Sequence, residues 1–323
     1  MTRLYPLRFD PIFRRYLWGG RRLATVLGKP IGEGDDYAES WEVVDHGADQ
    51  SVVTHGPLAG RSLHELVVDH GVELFGRHAP QGQFPLLMKF LDANKTLSLQ
   101  VHPNDEQAAR LDPPDLGKTE AWVVLAAEPG SKMYAGLKPG VDRDALRQHL
   151  EAGTCEECLH SFEPKVGDCV LLVAGTVHAI GAGLLIAEIQ QASDTTFRLF
   201  DWNRLGTDGK PRELHVEQSL AVTDFERGPV SPEVPQPVEG SAVERLAACD
   251  KFVLDRWQFT EPRACGGDGR FHLLAVIEGS AALAGDPCHE PLAVGGTALV
   301  PADCGEITVS PRGNTVLLDM YVP

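Results

Sequence analysis

At 323 residues, 43% of them hydrophobic, the chain can bury one large core or two ordinary ones. Its 46 Asp and Glu against 29 Lys and Arg leave a formal charge of −17, a field that repels nucleic acid and restricts any anionic small molecule to a local cluster of cations. No stretch approaches the roughly 18 apolar residues of a spanning helix, and the odd number of cysteines, 7, favours reduced thiols, so a cytoplasmic protein without a membrane partner is expected.

Short β-branched runs separated by Gly, Pro and Asp dominate the chain: WEVVDH from Trp41, QSVVTHG from Gln50, PLLMKFLDA from Pro85, TLSLQVHP from Thr96, AWVVLAAEPG from Ala121, DCVLLVAGT from Asp168 and GLLIAEIQQ from Gly183. Runs of this length between turn signals predict a mainly β protein, a sandwich or barrel. A few helices interrupt them. Ser62 to Glu65 has the S-x-x-E form of a capping box ahead of Leu66, Val67, Leu74 and Phe75. Asp142 can cap a helix carrying Leu146 and Leu150 that stops at Gly153, and a short helix is expected over 214–223. Between them CEEC, Cys155 to Cys158, reads as an exposed turn, since no second CxxC completes a zinc knuckle.

Residues 226–243 carry Pro229, Pro232, Pro235 and Pro237, which predicts a stiff, extended linker between a first domain (1–225) and a second (244–323). Beyond it lie further strand-like runs, KFVLDRWQF, FHLLAVIEGSAAL, GGTALVPAD, GEITVS and NTVLLDMYV. The stretch from Gly167 superposes on that from Gly295, placing Leu172, Val173 and Ala174 on Val300, Pro301 and Ala302, and His178 on Glu306. Two related β-barrels are therefore expected, the second degenerate and without metal ligands.

Within LSLQVHPND, Gln100 and His102 stand at i and i+2, so on an extended strand they share a face. Glu120, in GKTEAW, opens an apolar run, and His178, in GTVHAIGAG, sits in a glycine-rich turn just past a strand. Each has a structural reading on its own: a half-buried histidine, a solvated strand end, one of 12 histidines. Together they offer two oxygens and two nitrogens at strand ends. That set suits a catalytic zinc with a position left for substrate, and iron(II) or manganese accept similar ligands.

LSLQVHPND, GKTEAW, GTVHAIGAG and QQASDTTFRLFDWNR, together with WGG at 18–20, AESWEV at 38–43 and PLLMKFLDA, resemble the short bacterial form of type I mannose-6-phosphate isomerase, a zinc enzyme of the cupin superfamily. The likeness runs from about residue 10 to 220 and continues weakly beyond. It implies two cupin-like jelly-roll barrels and one zinc ion held by Gln100, His102, Glu120 and His178. It also implies interconversion of mannose 6-phosphate and fructose 6-phosphate through an enediol, by a monomer or homodimer. A sugar phosphate needs cations in a chain that repels it, and Lys89, Lys118 and Arg198 are the substrate-binding candidates. Lys89 is a lone charge in an apolar strand, costly unless paired with an anion or snorkelled to the surface. Arg198 could equally be spent on Asp194 or Asp201. By resemblance Arg198 is expected to be catalytic, with Lys118 and Glu188 as the proton-moving candidates; His46, His55 and Asp194 are weaker ones. Two rivals remain at this level: a cupin oxidoreductase using iron on His102, Glu120 and His178, and a non-catalytic sugar-binding cupin.

Overall fold

The strand Leu184–Gln191 is buried at every position because it meets a different core on each side. Leu184 and Ile186 point one way, onto Trp122, Val124 and Leu91. Leu185, Ala187 and Ile189 point the other way, onto Leu273, Ala275, Leu318 and Met320. The neighbouring strand Leu86–Ala93, also buried throughout, pairs with it antiparallel, Lys89 opposite Glu188. Met88 and Phe90 join the second of those cores, so Lys89 faces the first. The apparently continuous apolar runs are thus two alternating faces, one of which carries polar groups into an interior.

The computed structural model describes residues 4–206, 209–238 and 242–323; the remaining positions of the expected domains and linker lie outside the described residues. The first barrel is built from two sheets. One is six-stranded, in the order Ile12–Gly20, Tyr37–Val43, Leu86–Ala93, Leu184–Gln191, Glu120–Ala127, Cys169–Leu172. Facing it is a five-stranded sheet, Phe197–Phe200, Leu99–Val101, His178–Ile180, Met133–Leu137, Leu159–Phe162. The second barrel has a six-stranded sheet, Gln236–Pro237, Val243–Ala248, Val253–Phe259, Thr315–Tyr321, His272–Glu278, Thr297–Val300, and a four-stranded one, Arg263–Gly266, Glu306–Pro311, Ser280–Leu283, Leu292–Ala293. The six-stranded sheets share the apolar core between the barrels, so a cavity there weakens both at once; Phe90→Ala is worth about 3–5 kcal/mol.

The helix Leu63–Phe75 has both hydrogen bonds of the expected capping box and ends with Phe75 packed on Phe84 and Phe271. The helix Arg143–Ala152 is capped by Asp142 and stops at Gly153, whose φ of 72° suits glycine. The third helix is shorter than expected, Val216–Val222.

Three segments differ from the sequence reading. In QSVVTHG only Gln50 belongs to a strand, the two-residue Asp49–Gln50 paired with Asp45–His46, and beyond it there are isolated bridges, Val52 with Ser62 and Val53 with Phe9, because its partners are an N-terminal arm and a helix start. That arm, through Leu7, pairs with Leu299 of the second barrel. CEEC is a helical turn whose two cysteines are buried with Leu146 and Leu159 rather than exposed. The Pro-rich stretch is extended, but Val230 and Glu233 donate to the carbonyls of Ala135 and Cys169, so it is laid along the first barrel.

Candidate active site

Strand alternation and pairing bring four side chains together inside the first barrel. Gln100 stands opposite His178, with its Nε2 3.3 Å from His178 Nε2. His102 follows at the end of the same strand, on the Gln100 face. From the opposite sheet Glu120, the first residue of its strand, places Oε2 3.6 Å from His102 Nε2 and Oε1 3.2 Å from His178 Nε2. His102 and His178 are each 1% exposed and Glu120 is fully buried.

The imidazoles are oriented by the backbone behind them. His102 Nδ1 donates to the Thr195 carbonyl at 2.9 Å, and His178 Nδ1 to the Thr176 carbonyl at 2.8 Å. A carbonyl only accepts, so the proton of each neutral ring sits on Nδ1 and the Nε2 lone pair points inward. Nitrogen and oxygen ligand atoms of His102, Glu120 and His178 lie within 4.8 Å of one another. Glu120 Oε1 has no hydrogen-bond partner among the described residues; its neighbour His178 Nε2 is another acceptor. Among these acceptors Glu120 Oε1 alone lacks a donor, since the Gln100 amide reaches His178 Nε2 and Lys118 reaches His102 Nε2 and Glu120 Oε2; buried acceptors converging on one point in this way suit a cation. A half-turn of the Gln100 amide would add its oxygen to the set.

Around this group the expected charged residues are present. Lys118 Nζ hydrogen-bonds to Glu120 Oε2 and lies 3.2 Å from His102 Nε2 and 4.0 Å from Glu188 Oε1. Burial alone would lower the Lys118 pKa, but Glu120 and Glu188 hold it above the usual lysine value. Burial and the charge of Glu120 push the Glu188 carboxyl up, against Lys118 and Lys89. Trp122 Nε1 donates to Glu188 Oε2 at 2.8 Å. Lys89 does not snorkel: its side chain is 5% exposed, with Nζ 3.8 Å from Glu39 and Glu188, 3.9 Å from Asp194 and 4.4 Å from the Trp41 ring centre.

Arg198 stands opposite Gln100 on the barrel's outer strand. Its Nη1 donates to the Glu213 carbonyl at 2.8 Å, and its Nε has no hydrogen-bond partner among the described residues. Asp201 is held instead by Arg204 and Arg212, at 2.6 and 2.5 Å, so Arg198 is not spent on it. Lys89, Gln100, Lys118, Glu188 and Arg198 line one cavity of about 290 Å³.

Asp194 also borders that cavity. His46 and His55 do not; they bond to Asp115 and Thr54. Glu39 and Arg212, which the sequence reading did not single out, complete the charged part of the lining. Glu39 shares AESWEV with Ser40 and Glu42, so it is not the lone charge in an apolar strand that Lys89 is, and period-two alternation with Trp41 is the one signal that places it on the Trp41 face. Arg212 follows a turn and carries no such signal.

The second barrel has its own group, Cys265, His272 and Asp319, which the sequence reading did not anticipate. Its histidine is bonded at both nitrogens, Nδ1 to Asp319 at 2.9 Å and Nε2 to Asp268 at 3.3 Å.

Residues 7–121 match the family described as phosphomannose isomerase type I, catalytic domain. A mannose-6-phosphate isomerase of Bacillus subtilis (strain 168) is 35% identical over 306 residues, 93% of this chain and 94% of its own length. That of Streptococcus mutans is 34% identical, over 85% of each chain. The crystal structure of a mannose 6-phosphate isomerase from Bacillus subtilis superposes with a TM-score of 0.89 at 29% identity, covering 99% of this chain and all of the other, 100%. With these relatives spanning nearly its whole length, the chain belongs to the type I phosphomannose isomerase family.

Proposed function

We propose that this enzyme interconverts mannose 6-phosphate and fructose 6-phosphate through an enediol, with one zinc ion per chain held by Gln100, His102, Glu120 and His178. The observation that carries the reading is the inward convergence of two imidazole lone pairs and a partnerless Glu120 oxygen beside a cavity lined with cations. A divalent ion bound there supplies Lewis-acid polarisation of the sugar oxygens.

The remaining roles follow from where charge lies. At one end of the cavity Lys89 is surrounded by Glu39, Glu188 and Asp194, a neighbourhood that repels phosphate and suits sugar hydroxyls. At the other, Arg198 lies near Arg212, and burial and that like charge both lower its pKa. A phosphate dianion relieves the repulsion, and the planar fork fits it. Anchored there, the substrate extends its C1–C2 end toward Glu188. Glu188 Oε2 is pinned by Trp122, leaving Oε1, which looks toward Lys118 and Lys89, as the oxygen to move the proton between C1 and C2. Lys118, held charged, steadies the negative charge that develops on the substrate oxygens, and Lys89 holds the carboxylates of the sugar-binding end. Cys155, Cys158, Cys169, Cys249, Cys265 and Cys288 are thiols outside any disulfide, which supports a cytoplasmic setting.

The test is a coupled assay for fructose 6-phosphate formed from mannose 6-phosphate, run with metal analysis of protein purified without added metal. Isomerisation with about one zinc per chain is expected. Iron with oxygen uptake during turnover, or sugar binding without turnover, would overturn the reading.

A further inference from the structure

One carboxylate outside the cavity ties together three segments that meet behind the metal-ligand candidates. Asp115 lies in the loop between His102 and Lys118, its backbone N–H donating to the Ala108 carbonyl at 3.2 Å. Oδ1 accepts the Leu116 N–H at 2.8 Å and faces His46 Nε2 at 3.1 Å. Oδ2 accepts the hydroxyls of Ser193 at 2.8 Å and Thr195 at 2.6 Å. Four partners use the roughly four lone-pair sites of a carboxylate, and no other described residue joins the His46 turn, the 103–118 loop and the Ser193–Thr195 turn in this way.

That last turn is where the contacts bear on chemistry. Thr195 presents to His102 the carbonyl that keeps its proton on Nδ1, and Ser193 Oγ accepts the Thr195 N–H at 3.2 Å. Between them Asp194 reaches Lys89. We propose that Asp115 is a positioning residue for the metal centre: by clamping both hydroxyls of the turn it fixes the Thr195 carbonyl, and through it the tautomer and aim of His102. Without the clamp the carbonyl drifts, the His102 proton redistributes between its nitrogens, and a donor replaces a lone pair at the metal position. Outer partners of ligating histidines typically contribute 10–100-fold to metal affinity.

This inference rests on the metal reading above; failure of that reading shows separately, as wild-type protein that takes up no zinc. The experiment compares wild type, Asp115→Ala and Thr195→Val. Zinc affinity is measured by chelator competition on metal-free protein, and the His102 tautomer by nitrogen-15 NMR of the same metal-free samples. Asp115→Ala is expected to bind zinc about 10–100-fold more weakly and to lose the pure Nδ1–H form of His102, with turnover recovering at high zinc. Thr195→Val keeps the carbonyl and loses one clamp, so a loss of about 3–10-fold is expected, a fraction of that range. A lowered melting temperature with zinc affinity within about twofold of wild type and an unchanged His102 tautomer would reduce Asp115 to a loop anchor. Should Asp115→Ala fail to fold, Thr195→Val and Ser193→Ala decide the matter by the same two readouts.

Discussion

In the first barrel Leu172 pairs with Glu120; in the second Val300 pairs with His272, so a strand that opens with a carboxylate in one opens with an imidazole in the other. Two residues along, Glu188 stands opposite Trp122 and Asp319 opposite Leu274, which makes Glu188 and Asp319 equivalent. Gln100 faces His178 while Gly266 faces Glu306, and continuing two residues puts Asp268 in the place of His102. At three of these positions, Glu120 with His272, His178 with Glu306 and His102 with Asp268, one barrel holds acid where the other holds imidazole, while Glu188 and Asp319 are acid in both. In the first, two imidazoles backed by carbonyls turn lone pairs onto one carboxylate. In the second, a single imidazole lies between two carboxylates and gives each of them a proton. Convergent acceptors suit a metal ion; an imidazole with a carboxylate at either nitrogen is already satisfied by protons. The strand Phe197–Phe200, which brings Arg198 to the cavity, has no counterpart in the second barrel's four-stranded sheet among the described residues.

The comparison breaks most sharply at His102. Replacing it with alanine removes a proposed ligand whose ring packs on His178 and not in an apolar cluster, so turnover is expected to fall by about 10³-fold or more, the several kcal/mol a metal ion supplies. Bound zinc should fall with it, while the melting temperature measured in the presence of chelator stays near wild type. Retained zinc and turnover would show that the centre lies elsewhere. His272→Ala should do the reverse. It leaves Asp319 buried without its partner, a loss of about 3–5 kcal/mol of stability by urea denaturation, with zinc per folded chain unchanged. If that variant instead lost half of two bound metal ions per chain, the second barrel would be a metal site too.

Much of this was legible in the sequence, for reasons that differ by residue. Gln100 and His102 could be read because a period of two leaves little choice of face on a strand. Glu120 and His178 fit as strand-end polar groups, but no local pattern says that two strands from opposite sheets will meet. The family resemblance carried that step. The repeat placing Leu172 on Val300 agrees with both barrels' registers, since turn glycines and a buried strand recur together. The polar remnant of the second barrel went unseen because His272 and Asp319 are far apart in sequence and replace, rather than repeat, the first barrel's residue types. QSVVTHG misled for a related reason: its β-branched composition fits a pleated surface, yet beyond Gln50 its neighbours offer only isolated bridges.

Arginines sharpen the comparison further. Arg245 of the second barrel gives its fork to Asp255, at 2.8 and 3.2 Å, while Arg198 keeps Nε without a partner. Arg198→Lys retains the charge and loses the fork, so a fall in turnover of about 10–100-fold is expected, of the order of the 1.5–3 kcal/mol of a charged hydrogen bond, with zinc content untouched. Arg245→Lys should leave steady-state kinetics alone. Near-normal kinetics in Arg198→Lys would remove it from the reaction.

The smallest effect concerns pH. Burial lowers the His272 pKa, but Asp319 and Asp268 outweigh it and raise the value to about 10. A group whose folded pKa lies above its unfolded value near 6.5 adds stability that is fully present below that lower value and is lost as pH rises through the upper one. Asp319 is itself pushed up by burial in spite of His272, and a raised carboxyl likewise leaves the folded state holding more protons than the unfolded one, so it does not cancel this slope. Urea denaturation between about pH 7 and pH 10 should show wild type losing more stability than His272→Gln, which has no imidazole to lose a proton in that window. His102 of the first barrel, whose Nδ1 meets a backbone carbonyl and whose pKa burial holds below the usual histidine value, adds no such alkaline slope. Parallel pH profiles for the two proteins would mean that His272 is uncharged in the folded state, and the contrast between a barrel that gathers lone pairs and one that gathers protons would have to be abandoned.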